Sequence, residues 1–118
     1  MMRKSVYIAH RFNDCTERGR SRNRGQAAKW AKWARDQGYS PSCSWITLTW
    51  GADETPEGRA VGLECDVAQV VRCDELWLCG PVVSPGMLTE EAAAREAGVP
   101  VFRLLTRNPA AKTSRDTP

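Results

Sequence analysis

The chain has a single histidine, His10, and its five cysteines (Cys15, Cys43, Cys65, Cys73 and Cys79) form no C-x-x-C pair. That excludes zinc-finger ligand spacing. An odd number of scattered cysteines reads as free thiols in and around a core, not as a disulfide framework. No apolar run approaches the ~20 residues that cross a bilayer, so no membrane partner is expected. Met1-Met2-Arg3-Lys4 leads into a short strand-like run and then polar residues, which is not a secretory leader. The expected location is the cytoplasm. Net charge is only +3, too little to imply nucleic-acid binding by itself. There is no internal repeat and no interdomain linker, and nothing calls for a cofactor.

What is present is enough for one domain. The chain has 118 residues, 42% hydrophobic and 26% charged, an ordinary balance for a globular core. Residues 1–107 are expected to form that domain. Residues 108–118 have two prolines and no large apolar side chain, and are expected to be a disordered tail.

Ser5-Val6-Tyr7-Ile8-Ala9 is β-rich and almost continuously apolar, the pattern of a strand buried on both faces of a parallel sheet. Phe12 to Gly25 is polar and arginine-rich and reads as a loop. A helix follows over about Arg24–Gln37, with Ala27, Trp30, Ala31 and Ala34 as its apolar stripe and Gly38 at the C-terminal cap position. Cys43–Thr49 reads as a second strand. A second helix runs over about Glu57–Arg72, with Ala60, Leu63, Val67, Val70 and Val71 on one face. Leu76–Cys79 is a third strand, Met87–Ala97 a third helix ended by Gly98, and Val99–Leu105 a fourth strand. This β-α-β-α-β-α-β order predicts an α/β fold: a flavodoxin-like, Rossmann-like three-layer sandwich on a parallel four-stranded sheet, order 2-1-3-4. Ligands bind such folds outside the carboxyl ends of the strands.

Several residues fall at that end. Ser84-Pro85-Gly86-Met87 leads from strand three into a helix N-terminus, where free amides favour an anion; a plain helix cap is the alternative. At about 100° per residue, Met87, Glu90, Ala93, Ala94 and Ala97 share one helix face. Glu90 therefore points at the sheet, costly for a carboxylate without a task or a partner. Asp66 lies at the edge of the second helix's stripe, either as a site residue or as a boundary carboxylate paired with Arg11 or another arginine. Tyr7 is within the buried first strand, and its hydroxyl needs a partner. Asp74 and Glu75 read as turn residues. His10 and Arg11 end strand one, where a cationic pair could meet phosphate.

Arg18, Arg20, Arg22, Arg24, Lys29, Lys32 and Arg35 concentrate basic charge that attracts phosphate or simply forms a solvated face. Trp30 and Trp33 fall inside a helical pattern and not on a stacking platform, which argues against a polynucleotide groove. Five tryptophans are many for so small a sheet, and Trp33 and Trp50 look hardest to bury within one subunit. A homo-oligomer, most simply a two-fold dimer, is expected.

Val6-Tyr7-Ile8-Ala9, Asp66, Asp74, Ser84-x-Gly86-Met87-x-x-Glu90 and Gly98-x-Pro100-Val101, in that order, resemble the nucleoside 2-deoxyribosyltransferase superfamily. The likeness spans about residues 5–104. It is nearest to a small branch of unassigned function with a Tyr-Ile-Ala-His opening, a Cys-Asp-Glu-Leu-Trp run and a Ser-x-Gly-Met loop. The resemblance implies a nucleoside or nucleotide ligand and attack on its N-glycosidic bond. Glu90 would be the nucleophile at the anomeric carbon, Tyr7 the residue that orients it, and Asp66 the group that handles the base and its proton. Ser84 stands where the transferases carry an aspartate. It is similar there to deoxynucleoside 5'-monophosphate N-glycosidases, with a hydroxyl that can donate to phosphate. Phosphate would be held by Ser84, the backbone from Gly86 and Met87 to Leu88, and a cation from His10-Arg11 or the Arg18–Arg24 segment. Three departures stand out: His10-Arg11 follows strand one where the family has glycine, three residues separate Gly86 from Glu90, and the family's C-terminal segment is not recognisable. They keep hydrolysis, and binding without turnover, beside transfer.

Overall fold

The computed structural model describes residues 2–51 and 55–109; the side chain of Trp50 and most of the tail expected over 108–118 lie outside the described residues. Four parallel strands, β1 (Ser5–His10), β2 (Ser40–Ser42), β3 (Glu75–Cys79) and β4 (Val101–Leu104), form a sheet in the order β2-β1-β3-β4. The two central strands carry the two continuously apolar runs, and from Val6 to His10 and Glu75 to Cys79 every residue is buried.

Side chains alternate across the sheet. Val6, Ile8 and Trp77 pack with Trp30 and Ala34 of helix α1 (Glu17–Asp36) on one face. Tyr7, Ala9, Leu76 and Leu78 pack on the other, with Val70 of α3 (Pro56–Val70) and Met87 and Ala94 of α4 (Pro85–Glu96). The result is the three-layer sandwich with the expected strand order.

Two segments differ from the sequence reading. Cys43–Thr49 is not a strand: β2 is the short Ser40–Ser42, and Ser44–Gly51 is an additional helix, α2. A short apolar run does not distinguish strand from buried helix by its periodicity, and the tertiary context decides. The Ile8 carbonyl, next on the β1 edge, accepts from the Trp45 indole N–H (3.1 Å) and the Cys43 thiol (3.3 Å), so side chains occupy the edge a longer β2 would have used. Likewise, much of Phe12–Gly25 is helical, not loop. Thr16 caps α1 by accepting from the Gly19 amide, and Arg20 pairs with Glu17 one turn away, so the arginine cluster rides on the first turns of a helix.

Glu75, read as a turn residue, is instead buried within β3, accepting from the Tyr39 hydroxyl (3.2 Å) and the Trp77 indole (2.9 Å). Asp74 does act in the turn, bonding the Ser5 amide at 2.8 Å. Trp33, expected at an interface, is half-buried against Trp30 and Trp77, with ring centroids 5.8 and 5.5 Å away. The α3 stripe is covered only in part: Val70 is buried, Leu63 and Val67 are half-buried, and Ala60 and Val71 are exposed.

Candidate active site

A cavity of about 590 Å³ opens at the carboxyl end of the sheet. Its walls come from the residues after β1 (Arg11, Phe12), from α2 (Trp45), from α3 (Leu63, Asp66) and from the residues after β3 (Ser84). Helix α3 presents Gly58, Gly62 and Asp66 at four-residue spacing to this space, which is why its stripe is not sealed into a core. Phe12 and Trp45 make a tilted ring pair at 5.8 Å. A mostly apolar hollow with a few convergent polar groups is the usual form of a small-molecule site.

Behind the wall sits a cluster of charges. Tyr7 is fully buried, and its hydroxyl has no well-aligned hydrogen-bond partner; one oxygen of Asp66 is likewise buried and unpartnered. Yet Tyr7, Asp66 and Glu90 act on one another. Burial, then the Glu90 and Asp66 charges, push the Tyr7 hydroxyl far above its ordinary value, so it stays protonated. The approach of the hydroxyl to each carboxylate lowers that acid slightly, as a loose hydrogen bond does. Burial raises Asp66 to about 6. Burial first, and the Asp66 charge second, raise Glu90 to about 8. The Cys43 thiol, pushed up by burial and by the same two carboxylates, remains a thiol.

Among the described residues neither Glu90 nor Asp66 has an arginine or lysine partner, so the pairing with Arg11 considered for Asp66 is not formed. Near neutral pH the two carboxyls together hold about one proton. The structure thus brings Tyr7, Asp66 and Glu90 together from β1, α3 and α4. Asp66, Ser84 and Gly86 line the cavity, while Tyr7 and Glu90 do not, Glu90 being only 5% exposed.

The remaining candidates are placed differently. Ser84 is the N-cap of α4: its Oγ accepts from the Met87 amide at 3.3 Å, and its carbonyl accepts from the Leu88 amide at 3.1 Å. Two of the three amides expected to greet phosphate are therefore already bonded. Met87 is buried, and its sulfur accepts from the Ser84 amide. His10 faces the α1 side. Its Nδ1–H donates to the Arg11 carbonyl (2.7 Å), and burial lowers its pKa, so at neutral pH it is not the cation expected of it. Its ring lies against Gly80, where φ is +94° and any Cβ would meet the imidazole at 2.8 Å. Arg24 is buried. Its guanidinium bonds Glu17 (2.9 Å) and the Thr49 hydroxyl and carbonyl (3.0 Å each), and lies 5.0 Å over the Phe12 ring. It positions the cavity wall and does not line the cavity.

Sequence reasoning missed Phe12, Trp45 and Arg59 as cavity residues. The available signal was the Gly58–Gly62–Asp66 spacing, which leaves a helix face too small to fill a core.

The family model described as Domain of unknown function (DUF7768) matches residues 4–104. The chain belongs to this family. The DUF7768 match runs from just before β1 to the end of β4 and includes Tyr7, Asp66, Ser84 and Glu90. A solved structure of a 2-deoxyribosyltransferase from the psychrotolerant bacterium Bacillus psychrosaccharolyticus is similar in fold. The TM-score is 0.61 at 18% identity, covering 84% of this chain and 70% of that one. Among curated proteins none matches the chain.

Proposed function

We propose that this DUF7768 protein binds a nucleoside or nucleotide in the large cavity and cleaves or transfers its N-glycosidic bond. The observation that carries the reading is the unpaired, mutually coupled Tyr7–Asp66–Glu90 cluster against a nucleoside-sized hollow. Ionised Glu90 attacks the anomeric carbon as the bond to the base nitrogen breaks, and Asp66 supplies the proton that the departing base takes up. Water, or a second base, then displaces the carboxylate and returns the proton to Asp66. Tyr7, locked as a neutral hydroxyl, donates to Glu90 and orients it. Phe12 and Trp45 offer the apolar faces that suit a base.

The resting proton sits on Glu90, the less acidic group, whereas the reaction needs it on Asp66. The active form is therefore a minor arrangement of the singly protonated pair. Turnover should follow a bell in pH with limbs near 6 and 8.

A second reading, capture of a nucleotide-derived ligand without turnover, is favoured by one observation: Glu90 lies behind the cavity wall. A panel of nucleosides and 5'-monophosphates, with released base followed by chromatography, separates the two. The catalytic reading expects base release from the native chain and none from Glu90→Ala, with much of the binding kept. Release unchanged in Glu90→Ala removes the nucleophile, and tight binding with no release establishes the capture module. Self-association through the aromatic residues is part of the proposal, and a monomer by light scattering at micromolar concentration contradicts it.

A further inference from the structure

A second, smaller cavity of about 180 Å³ lies on the α1 side of the sheet. It is below the ~300 Å³ where drug-sized ligands begin to fit, but it suits a compact ion. Four places in the chain build it: His10 and Arg11 at the end of β1, Arg22 and Gln26 on α1, Pro81 and Val82 after β3, and Arg107 after β4. Three guanidinium-bearing residues thus meet at one hollow, and no carboxylate lines it.

Among the described residues Arg11, Arg22 and Arg107 have no ion-pair partner. Asp14 feels the charges of Arg22 and Arg11, but its Oδ2 is taken up by the Thr16 amide (3.1 Å) and hydroxyl (2.9 Å). Among the described residues the Gln26 Oε1 is a buried lining acceptor without a partner, free to accept from a protonated oxygen. Like charges around one void repel, and an anion between them turns that repulsion into charge-assisted hydrogen bonding of the bidentate kind guanidinium favours.

We propose that the Arg11–Arg22–Arg107 cavity binds a phosphate-class oxyanion, at a place separate from the amides that begin α4. Arg11 and Val82 line both cavities, so the two sites share a wall. A free phosphate ion and the terminal phosphate of a ligand seated in the large cavity both meet this chemistry. The proposal does not depend on the chemistry at Glu90.

Calorimetry on the full chain tests it, with inorganic phosphate, a nucleoside and its matched 5'-monophosphate as probes. The expected result is that Arg22→Gln and Arg107→Gln each weaken phosphate-dependent binding about tenfold. Arg72→Gln, an exposed arginine away from both cavities, leaves it unchanged. Glu90→Gln also leaves inorganic phosphate binding intact, even where it removes turnover, so this site and the reaction stand or fall apart. Equal affinity for phosphate and nucleotide assigns a free ion; a nucleotide bound more tightly than either phosphate or nucleoside assigns the ligand's own phosphate. Matching melting temperatures confirm that the exposed-arginine variants fold. The proposal is overturned if neither phosphate nor nucleotide binding responds to Arg22→Gln and Arg107→Gln, or if Ser84→Ala alone removes the binding.

Discussion

Glu90 and Glu91 are consecutive residues of one helix, 5% and 7% exposed, in opposite electrostatic states. Glu91 faces β4, where Arg103 bonds both its oxygens (2.7 and 3.3 Å) and Arg95 adds a third bond at 2.9 Å. These hydrogen bonds, with their positive charge, hold its carboxyl below the ordinary range. Glu90, a third of a turn away, faces β1 and α3, where it meets a tyrosine, a second carboxylate and a thiol, and is pushed up to about 8. Both are little exposed, but desolvation, the largest cause of the Glu90 shift, is outweighed at Glu91 by the hydrogen bonds from Arg103 and Arg95. One glutamate is a fastener between α4 and β4. The other is held where a charge is costly, a state that structural carboxylates avoid and reactive ones use.

Glu90→Gln should separate the two glutamates most sharply. Burial raises the folded-state pKa of Glu90 above its ordinary 4.5, so the folded protein keeps a proton that the unfolded chain releases as pH rises between about 4.5 and 8. Stability from this residue is therefore greatest below pH 4.5 and falls as pH climbs to 8. Glutamine never ionises. The variant should match the native protein near pH 4 and exceed it at pH 8 by on the order of a few kcal/mol in urea unfolding. A stability difference that is flat in pH would show that Glu90 titrates normally.

Glu91→Ala should behave in the opposite sense. It removes a buried acceptor of three charge-assisted bonds, and should cost roughly 1–3 kcal/mol at pH 7. The side chains of Arg103 and Arg95 are 41% and 64% exposed, so both regain water and the loss stays below that of a fully buried pair. No loss of stability would mean that the two glutamates do not differ as described. The smallest effect belongs to Asp66→Asn. Removing the Asp66 charge, which adds to the effect of burial, should lower the Glu90 pKa while burial keeps it raised. An unchanged Glu90 titration would separate the two carboxyls.

Glu90 was legible in the sequence because helical angles alone turn it to the sheet. Glu91 was not: its partner Arg103 arrives from β4, and only the fold brings that strand beside α4. The buried runs of β1 and β3 and the strand order were legible because unbroken apolar strands and right-handed crossovers leave few topologies. Cys43–Thr49 was not, because the Ile8 carbonyl, which two side chains bond, belongs to a strand 35 residues away. His10 looked like a cation in the sequence; burial against Gly80 made it neutral.

Carboxyl-carbon NMR on protein labelled at Asp and Glu side chains reads the protonation of the Glu90–Asp66 pair directly, with Glu90→Gln, Asp66→Asn and Glu91→Ala as assignments. The expected result is Glu90 half-protonated near pH 8, Asp66 near 6, and Glu91 ionised below the ordinary carboxylate range. A Glu90 resonance with its midpoint at the ordinary glutamate value of about 4.5 would overturn it.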